Sequence, residues 1–463
     1  MKVQIHFIGI GGVGVSALAQ YYLAKGYKVS GCDLVSSEIT EQLKKMGVRI
    51  RIGKPNASCV PANTGKIIYS PAVQKSSLEI ENWKLKIPAL SYPQALGEMT
   101  KKYFTIAVAG THGKSTTTAM IGLLLAKAGL DPTVIVGTKL KEFGPSTSSG
   151  SNCRVGKSKY LVIEADEHFA SFLNYRPTIA VLTSIEADHL DYYKNLKNLL
   201  RAFCSFVSRV PKRGAVVANK DDKNIGKILH ILNSTTVKNR VYFSMRQKEA
   251  AVLRRILKIP GEHNVSNALA ALAVARMLKI PDNISFKSLS QYKGSWRRFE
   301  IFNLKTKNYK PYTLVSDYGH HPTEIKATLQ AARTKWPKKK IWLVFQPHQY
   351  QRTFYLWKGF VGTLSGVPAD RVILADIYDV AGRENLTIKK KVSSQKLVKA
   401  MKQISSKKRR ELFLFLGHPR AVEKYLKKNL EGGEVVIIMG AGDIYENLTI
   451  HLTRNMEKEK MNS

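Results

Sequence analysis

A glycine-rich turn between an apolar strand and a long helix is the feature that most restricts the fold of this chain. The run FTIAVAG leads into GTHGKST, residues 110–116, and TTTAMIGLLLAKAG then follows with a helical pattern. The same order occurs at the N-terminus, where VQIHFIGI, GGVG and VSALAQYYLAKG succeed one another and Gly26 is expected to end the helix. Strand, tight turn and helix form the repeating unit of parallel sheets. The sequence therefore predicts an α/β protein with mostly parallel sheets.

Composition excludes several classes of protein. The chain has 74 Lys and Arg against 34 Asp and Glu, a net charge of +40, but the excess is spread along the chain and its short basic runs are not interleaved with aromatic residues. A nucleic-acid partner is therefore not expected. The four cysteines lack C-x-x-C spacing, which argues against a zinc site or a disulfide framework and fits the cytoplasm. A membrane partner is not expected either, because no apolar run approaches the ~20 residues of a membrane span and the N-terminus lacks a signal peptide's layout.

The turn at residues 110–116 has the composition of a phosphate-binding loop. In such loops successive backbone N–H groups surround phosphate oxygens, a lysine reaches the β- and γ-phosphates, and a hydroxyl ligates Mg²⁺. Position 108, where the usual pattern has its first glycine, is Val108, but the strand and helix flank the loop as required. The sequence predicts that ATP contacts Gly110, Thr111, His112, Gly113, Lys114, Ser115 and Thr116.

Two residues after later strands are suited to a metal ion beside that loop. Glu164 stands at the end of the strand YLVIEADE, and His189 is expected in the same relation to the strand that begins IAVLT. Ligands collect at the carboxyl ends of parallel strands, and Mg²⁺ takes few protein ligands besides phosphate and water. With Ser115, these residues form the predicted metal site.

The N-terminal glycine turn leaves its ligand open. Gly9, Gly11 and Gly14 spell G-x-G-x-x-G between a strand and a helix, and Asp33 ends the next strand. This is the dinucleotide-binding pattern, in which a pyrophosphate lies on a helix N-terminus. A nucleotide sugar presents the same pyrophosphate and ribose, so the pattern predicts a diphosphate near residues 11–14 and leaves NAD and a nucleotide sugar as alternatives.

Histidines and arginines gather in polar stretches of the last third of the chain. RRFE, SDYGHHPTEI, FQPHQYQRT and GAGDI lie among the strand patterns TLVSDY, KIWLVFQ, RVILAD, ELFLFLG and EVVIIMG. We expect this segment to close on bound ATP. The lysine-rich stretch 389–410 is expected to be surface helix and loop. Breaks near residues 100 and 297 predict three domains, residues 1–100, 101–297 and 298–463.

Taken together, these motifs resemble the Mur ligase family over essentially the whole chain. GIGGVGVSALA, GTHGKST, EADE, EADHLDYY, GEHNVSNALAA, RRFE, DYGHHPTEI and PHQYQRT have counterparts there in the same order. DYGHHPTE and PHQYQRT point to the branch that uses L-alanine. The resemblance implies a cytoplasmic bacterial enzyme, monomer or homodimer, that uses ATP and Mg²⁺ to join L-alanine to the lactyl carboxylate of UDP-N-acetylmuramate through an acyl phosphate, in peptidoglycan precursor synthesis.

The resemblance implies that residues 1–100 form a Rossmann-like UDP-substrate domain, 101–297 a central P-loop ATPase domain and 298–463 a Rossmann-like domain. It also implies roles for single residues. The catalytic residues would be Lys114, His348 and Arg352. Asn264, Asn267, Arg298 and Asp317 would complete the ATP site. The UDP-substrate site would contain Gly11, Gly12, Asp33 and Ser70, and the amino-acid and muramyl site would contain Tyr318, His320, His321, His348 and Arg352.

Departures from the family pattern leave alternatives. DIYDVAGRE, residues 376–384, is longer than the usual motif near the amino-acid site, and SPAV replaces a usual second serine after Ser70. The closest alternative is the recycling ligase that attaches a ready-made peptide to the same UDP-sugar. An NAD-dependent oxidoreductase is the alternative from another class, although it leaves GTHGKST unexplained.

Overall fold

A computed structural model describes residues 3–73, 87–144, 150–232, 238–306, 309–380 and 386–454. The chain divides into two compact units. The first comprises residues 1–186, 197–257 and 265–295, and the second comprises 187–196, 258–264 and 296–463. Within the described ranges, no helix is both long and apolar enough to cross a bilayer. All four cysteines are free thiols, as expected.

The first sheet of the first unit is five-stranded and wholly parallel, in the order β3-β2-β1-β4-β5. Its strands are β1 Gln4–Ile8, β2 Val29–Asp33, β3 Arg49–Ile52, β4 Thr64–Tyr69 and β5 Ala89–Ser91. The helices around it are α1 Val13–Ala24, α2 Glu38–Lys45 and α3 Tyr92–Thr100. Helix α1 thus ends two residues before Gly26, which follows the helix with φ +78°.

The second sheet of the same unit has seven strands in the order β12-β11-β10-β6-β9-β7-β8, and among the described strands of this sheet β8 alone is antiparallel to its neighbour. The strands are β6 Phe104–Ala109, β7 Thr133–Leu140, β8 Ser151–Arg154, β9 Tyr160–Ala165, β10 Ile179–Leu182, β11 Ala215–Asn219 and β12 Asn239–Phe243. The helices in this part of the chain are α4 Lys114–Lys127, α5 Leu190–Tyr193, α6 Leu196–Val207, α7 Lys223–Ile231, α8 Lys248–Ile256, α9 Glu262–Met277 and α10 Asp282–Ser290.

The second unit contains a six-stranded sheet in the order β13-β14-β18-β15-β16-β17, parallel except for the pairing of β13 with β14. Its strands are β13 Glu300–Thr306, β14 Tyr309–Asp317, β15 Ile341–Phe345, β16 Arg371–Ala375, β17 Phe413–Gly417 and β18 Val435–Met439. Its helices are α11 Pro322–Lys335, α12 Tyr350–Tyr355, α13 Trp357–Gly366, α14 Leu386–Lys391, α15 Ser394–Ile404, α16 Lys407–Arg410 and α17 Pro419–Asn429.

Burial in the third sheet explains why its strands read as continuous apolar runs. Strand β18 is buried along its whole length, with Val435 and Ile437 in one core cluster and Val436 and Ile438 in another. Side chains of a strand alternate between its faces, so both faces of this sheet are covered. The predicted α/β class, the mostly parallel sheets and the strands quoted from the sequence are confirmed.

The structure departs from the sequence prediction at His189. Glu164 is the penultimate residue of β9, as expected. Strand β10, however, ends at Leu182, and His189 lies seven residues further on, where it precedes α5 with φ +52°. His189 is therefore placed by the turn that begins a short helix and not by the end of the strand. His189 belongs to the second compact unit.

Candidate active site

The loop after β6 forms a tight turn that admits only glycine at two positions. Gly110 has φ +145°, and a Cβ atom there would lie 2.1 Å from Thr183 Oγ1. Gly113 has φ +80°, and a Cβ atom there would lie 2.3 Å from Asn267 Oδ1. Gly113 immediately precedes α4, whose first turn carries no acidic residue. A helix N-terminus of this kind favours an anion, because its backbone N–H groups and the helix dipole face the ligand.

Lys114 lies over this loop and is held there by backbone and side-chain acceptors. Its Nζ donates to the carbonyl oxygen of Gly110 at 2.7 Å and lies 2.9 Å from Glu167 Oε2. Burial opposes the charge of Lys114, but Glu167, Asp166 and Glu164 outweigh it and raise the pKa of the lysine. Burial raises the pKa of Glu167 to about 7, although Lys114 opposes that shift. Lys114 is therefore a charged group already directed at the loop.

Ser115 and Glu164 are brought together, as predicted for a metal site. Ser115 Oγ donates to Glu164 Oε1 at 3.0 Å, and the backbone N–H of Gly137 donates to Glu164 Oε2 at 2.8 Å. A carboxylate and a hydroxyl beside a phosphate loop are the oxygen donors that Mg²⁺ prefers. The donor set of the first unit therefore fits Mg²⁺. The third predicted ligand, His189, belongs to the second unit, where its Nε2 lies 3.7 Å from Asp188 Oδ2.

The N-terminal glycine turn gathers all four residues predicted for the UDP-substrate. Asp33 Oδ2 accepts the backbone N–H of Gly11 at 2.7 Å. The Ser70 side chain packs against Gly9, and its Oγ would lie 3.9 Å from a Cβ atom at Gly12. Gly12 immediately precedes α1, so this turn too presents a helix N-terminus.

The two asparagines of the GEHNVSN stretch have different surroundings. Asn267 lies in the first unit beside the ATP loop, where its Oδ1 accepts the Thr117 hydroxyl at 3.2 Å. Asn264 belongs to the second unit, where its Nδ2 donates to the carbonyl oxygen of Pro260 at 2.6 Å. The contacts of Asn267 fit its expected place beside ATP, whereas those of Asn264 hold the start of α9.

A buried arginine organises the amino-acid site predicted in the second unit. Arg352 Nε donates to Asp188 Oδ1 at 3.0 Å, and each side chain is only 7% exposed. Arg352 Nη1 lies 3.2 Å from His348 Nδ1. The His348 ring stacks on Tyr378, with 5.5 Å between ring centroids and 15° between planes. Four polar side chains from three segments of the chain thus form one cluster, since His348 and Arg352 are only four residues apart.

The remaining predicted histidines surround this cluster. The centroid of His320 is 5.8 Å from that of His348 and 5.5 Å from that of Tyr318. His320 Nδ1 lies 3.1 Å from the carbonyl oxygen of Tyr318, so Nδ1 carries the proton and Nε2 can accept one. His321 begins α11 instead, where its Nδ1 accepts the Thr323 N–H at 3.2 Å.

Asp317 and Arg298 lie together at a strained turn. Asp317 accepts the backbone N–H groups of Phe299 at 2.9 Å and of Gly319 at 2.7 Å, and burial raises its pKa to about 6 against the pull of Arg298. Phe299 has φ +52°, so Asp317 stabilises an unfavourable backbone conformation. The Arg298 guanidinium lies over the Tyr318 ring, 5.0 Å from its centroid. Asp317 therefore positions the turn that carries Arg298.

Three residues of these clusters escaped the sequence prediction. Glu167, Asp188 and Tyr378 were not assigned roles, although the first two belong to the quoted EADE and EADH stretches. The available signal was their position beside the predicted metal ligands, since Glu167 follows Glu164 by three residues and Asp188 directly precedes His189. Tyr378 lies in the long motif 376–384, of which residues 381–384 fall outside the described residues.

Two buried histidines make stability depend on pH. Burial lowers the pKa of His320 to about 4 and that of His348 to about 2, so both rings are neutral at physiological pH. The unfolded chain binds a proton at each ring below about pH 6.5, whereas the folded chain does not, so stability is complete above that pH and is lost as pH falls towards 4.

On going from about pH 7 to pH 5, the wild type loses free energy of unfolding. We expect the His320→Gln variant to lose about 2 kcal/mol less, because it lacks one of these rings. Chemical denaturation at both pH values measures this difference. The exposed His451, replaced by Gln, is the control. Equal pH dependence in the wild type and His320→Gln would contradict the neutral buried ring.

Comparison with known proteins finds matches along most of the chain. Residues 4–104 match the Mur ligase family catalytic domain, 108–275 the Mur ligase middle domain and 297–442 the Mur ligase glutamate ligase domain. A UDP-N-acetylmuramate–L-alanine ligase of Acetivibrio thermocellus is 38% identical, and the alignment covers 96% of this chain and 94% of that protein.

Solved structures agree on the fold. The UDP-N-acetylmuramate–alanine ligase of Thermotoga maritima has a TM-score of 0.76 at 25% identity and is matched over 100% of both chains. A murein peptide ligase of Psychrobacter arcticus has a TM-score of 0.68 at 22% identity over 98% of both chains. Matches to three successive domains and to a near-full-length relative show that this chain belongs to the Mur ligase family.

Proposed function

We propose that this chain joins L-alanine to the lactyl carboxylate of UDP-N-acetylmuramate, converting ATP to ADP and phosphate, in the synthesis of a peptidoglycan precursor. The observation that carries the proposal is the 38% identity, over nearly the whole chain, to an L-alanine ligase. The phosphate loop and the buried cluster around Arg352 support it, because they supply the two kinds of site that such a reaction needs. We set aside the NAD-dependent oxidoreductase hypothesis, because it does not explain the phosphate loop at residues 110–116.

We assign the UDP-substrate to residues 1–100, ATP to 101–297, and the amino acid and the remaining ATP contacts to 298–463. The matched family domains begin at residues 4, 108 and 297, close to the starts of these segments, which supports the assignment. The two glycine turns support it as well, because each precedes a helix N-terminus suited to phosphate groups. Each turn would hold one of the two nucleotides.

The first chemical step is transfer of the γ-phosphoryl group of ATP to the lactyl carboxylate. Mur ligases are ATP-dependent, and a carboxylate needs such activation because oxide is a poor leaving group. Lys114 would neutralise charge on the phosphoryl group as it moves, and positioning with charge neutralisation accounts for most catalysis of this kind. Mg²⁺ held by Ser115 and Glu164, with His189 as the third proposed ligand, would supply further positive charge beside the phosphates.

The second step is attack of the L-alanine amine on the acyl phosphate, which forms the amide and releases phosphate. We assign Arg352 to anionic oxygens of the substrates, with Asp188 fixing the direction of its guanidinium. His348 and His320 are neutral, so each presents a ring nitrogen that can accept a proton or a hydrogen bond. Tyr378 stacks on His348 and would hold the plane of that ring.

The Glu164→Gln variant tests the proposed metal site. We expect it to need roughly tenfold more Mg²⁺ for half-maximal activity, because even partners of metal ligands change affinity by about that factor. A Mg²⁺ titration of ATP-dependent ligation measures the shift. Glu142→Gln is the control, since Glu142 is an acidic residue of the same domain that is exposed at the surface. An unchanged titration in Glu164→Gln would remove Glu164 from the site.

Product analysis separates the proposal from its closest alternative. The enzyme is incubated with UDP-N-acetylmuramate and ATP, together with either L-alanine or the tripeptide of the peptide-recycling reaction, and ADP and product mass are followed. We expect ADP and an amide product with L-alanine. ADP release that requires the tripeptide and ignores L-alanine would overturn the proposal in favour of the recycling ligase, whose fold this chain shares.

A further inference from the structure

The N-terminal glycine turn is flanked by carboxylates. Asp33 binds the N–H of Gly11, and Glu38 and Glu41 occupy the first turn of α2. Glu41 is already paired with Lys44 at 2.8 Å. A diphosphate brings about two negative charges to this turn, and a dianion beside carboxylates needs a nearby cation as well as backbone N–H groups.

The strand pair β7–β8 of the second sheet packs against α1, the helix that follows this turn. Asn152, which is 4% exposed, donates from Nδ2 to the carbonyl oxygen of Val13 and to Ser16 Oγ, the latter at 2.9 Å. Its Oδ1 accepts Gln20 Nε2 at 2.7 Å. Val13 is the first residue of α1, directly after Gly12, so residues from the predicted ATP domain fix the start of the phosphate-binding helix.

Lys139 reaches the other side of the turn from the same strand pair. It is 4% exposed, and its Nζ lies 3.0 Å from Glu38 Oε1. Glu38 stands two residues before Thr40, whose methyl group would lie 3.1 Å from a Cβ atom at Gly11. Lysine is rarely buried so completely without a charged partner. A buried ammonium group is thus held within a few residues of the diphosphate turn.

The two partners of this ion pair differ in exposure, and the difference favours replacement of Glu38 by a ligand. Lys139 is buried, whereas the Glu38 side chain is 54% exposed and can turn into water at little cost. An incoming diphosphate can therefore take the place of Glu38 without leaving a buried carboxylate unpaired. The reverse arrangement, with a buried glutamate, would resist such an exchange.

We propose that Lys139 binds the diphosphate of the UDP-substrate and that Glu38 holds the lysine in place until the substrate arrives. This rests on the proposed function and adds a residue from the ATP-binding part of the chain to the UDP-substrate site. The site is then shared by two domains of the first unit, since backbone donors come from the glycine turn and the cation comes from β7.

Comparison of UDP with uridine tests the proposal, because the two ligands differ only in the diphosphate. We expect the wild type to bind UDP more tightly than uridine, and we expect Lys139→Met to lose roughly tenfold or more of that preference, as for other charge-assisted contacts. Calorimetric titration of each ligand measures the ratio. Lys141→Met, two residues away and exposed, is the control and should keep the wild-type preference.

A purely structural ion pair predicts a different pattern. Removing either partner would then weaken UDP and uridine equally, and Glu38→Gln would resemble Lys139→Met. We expect instead that Glu38→Gln binds UDP at least as tightly as the wild type and that Lys139→Arg keeps most of the preference. A Lys139→Met variant with an unchanged UDP-to-uridine ratio would overturn the proposal. Failure of the wild type to bind UDP-N-acetylmuramate would instead count against the proposed function itself.

Discussion

Replacing Lys114 with alanine is expected to lower the rate of product formation about a thousandfold or more, because the charge nearest the transferring phosphoryl group disappears. Lys114 is the cation that the loop itself holds, through the carbonyl of Gly110 and the carboxylate of Glu167. The affinity for UDP-N-acetylmuramate should stay within about threefold of the wild type, because that substrate is assigned to the N-terminal glycine turn. Ligation kinetics and calorimetric binding of the UDP-substrate measure the two quantities.

The Lys114 experiment needs a control for the buried glutamate that the substitution leaves behind. Without Lys114, Glu167 loses the ion pair that offsets its burial, and its protonated form becomes more favourable. The double variant Lys114→Ala with Glu167→Gln removes that effect and should remain inactive. Lys127→Ala, at the far end of α4, should remain active. Loss of UDP-substrate affinity as large as the loss of activity would contradict the division of the two sites.

Replacing Arg352 with methionine is expected to impair both stability and activity. Its ion pair with Asp188 is almost fully buried, and loss of one partner of a buried pair costs about 3–5 kcal/mol. Burial alone would raise the pKa of Asp188, but Arg352 together with His189, His321 and His320 holds that pKa well below its usual range. Denaturant titration measures the loss of stability, and ligation kinetics measure the loss of activity.

A second substitution separates the effect of Arg352→Met on stability from its effect on activity. Asp188→Asn combined with Arg352→Met leaves no buried charge unpaired, so most of the lost stability should return. Activity should not return, because the group assigned to the substrate oxygens is still missing. A double variant as unstable as Arg352→Met would contradict the pairing as the source of the stability. A double variant with wild-type activity would contradict the assignment of Arg352 to the substrates.

The local sequence pattern was sufficient to predict a site whose residues lie in one contiguous stretch of the chain. The strand, the loop at residues 110–116 and the helix that follows are contiguous, so their arrangement could be predicted from glycine positions and apolar periodicity. The same holds for Gly11 and Asp33, since the carboxyl ends of neighbouring parallel strands meet at one edge of a sheet.

Contacts between distant segments could not be predicted in this way. Asp188 and Arg352 are 164 residues apart, and their pairing depends on how the short segment 187–196 packs within the second unit. The pairing of Lys139 with Glu38 depends on how β7 packs against the helices of the N-terminal part of the chain. The position of His189 was predicted wrongly for a related reason, because seven residues separate the end of β10 from the start of α5.

The proposed function explains only a small part of the net charge of +40. ATP and a UDP-sugar carboxylate are anions, so a positive field would raise their rate of encounter with the enzyme. The clusters described around Lys114, Lys139 and Arg352 use only a few of the 74 basic residues. The structure offers no reason for the rest.

The central claim is that the lactyl carboxylate is activated as an acyl phosphate and is then captured by L-alanine. Its most direct test uses UDP-N-acetylmuramate labelled with a heavy oxygen isotope in that carboxylate, together with ATP, Mg²⁺ and L-alanine. We expect one labelled oxygen in each molecule of released phosphate and an amide product that contains one alanine, since the carboxylate oxygen bonded to phosphorus leaves with it. Unlabelled phosphate, or no phosphate release in the presence of L-alanine, would contradict the account.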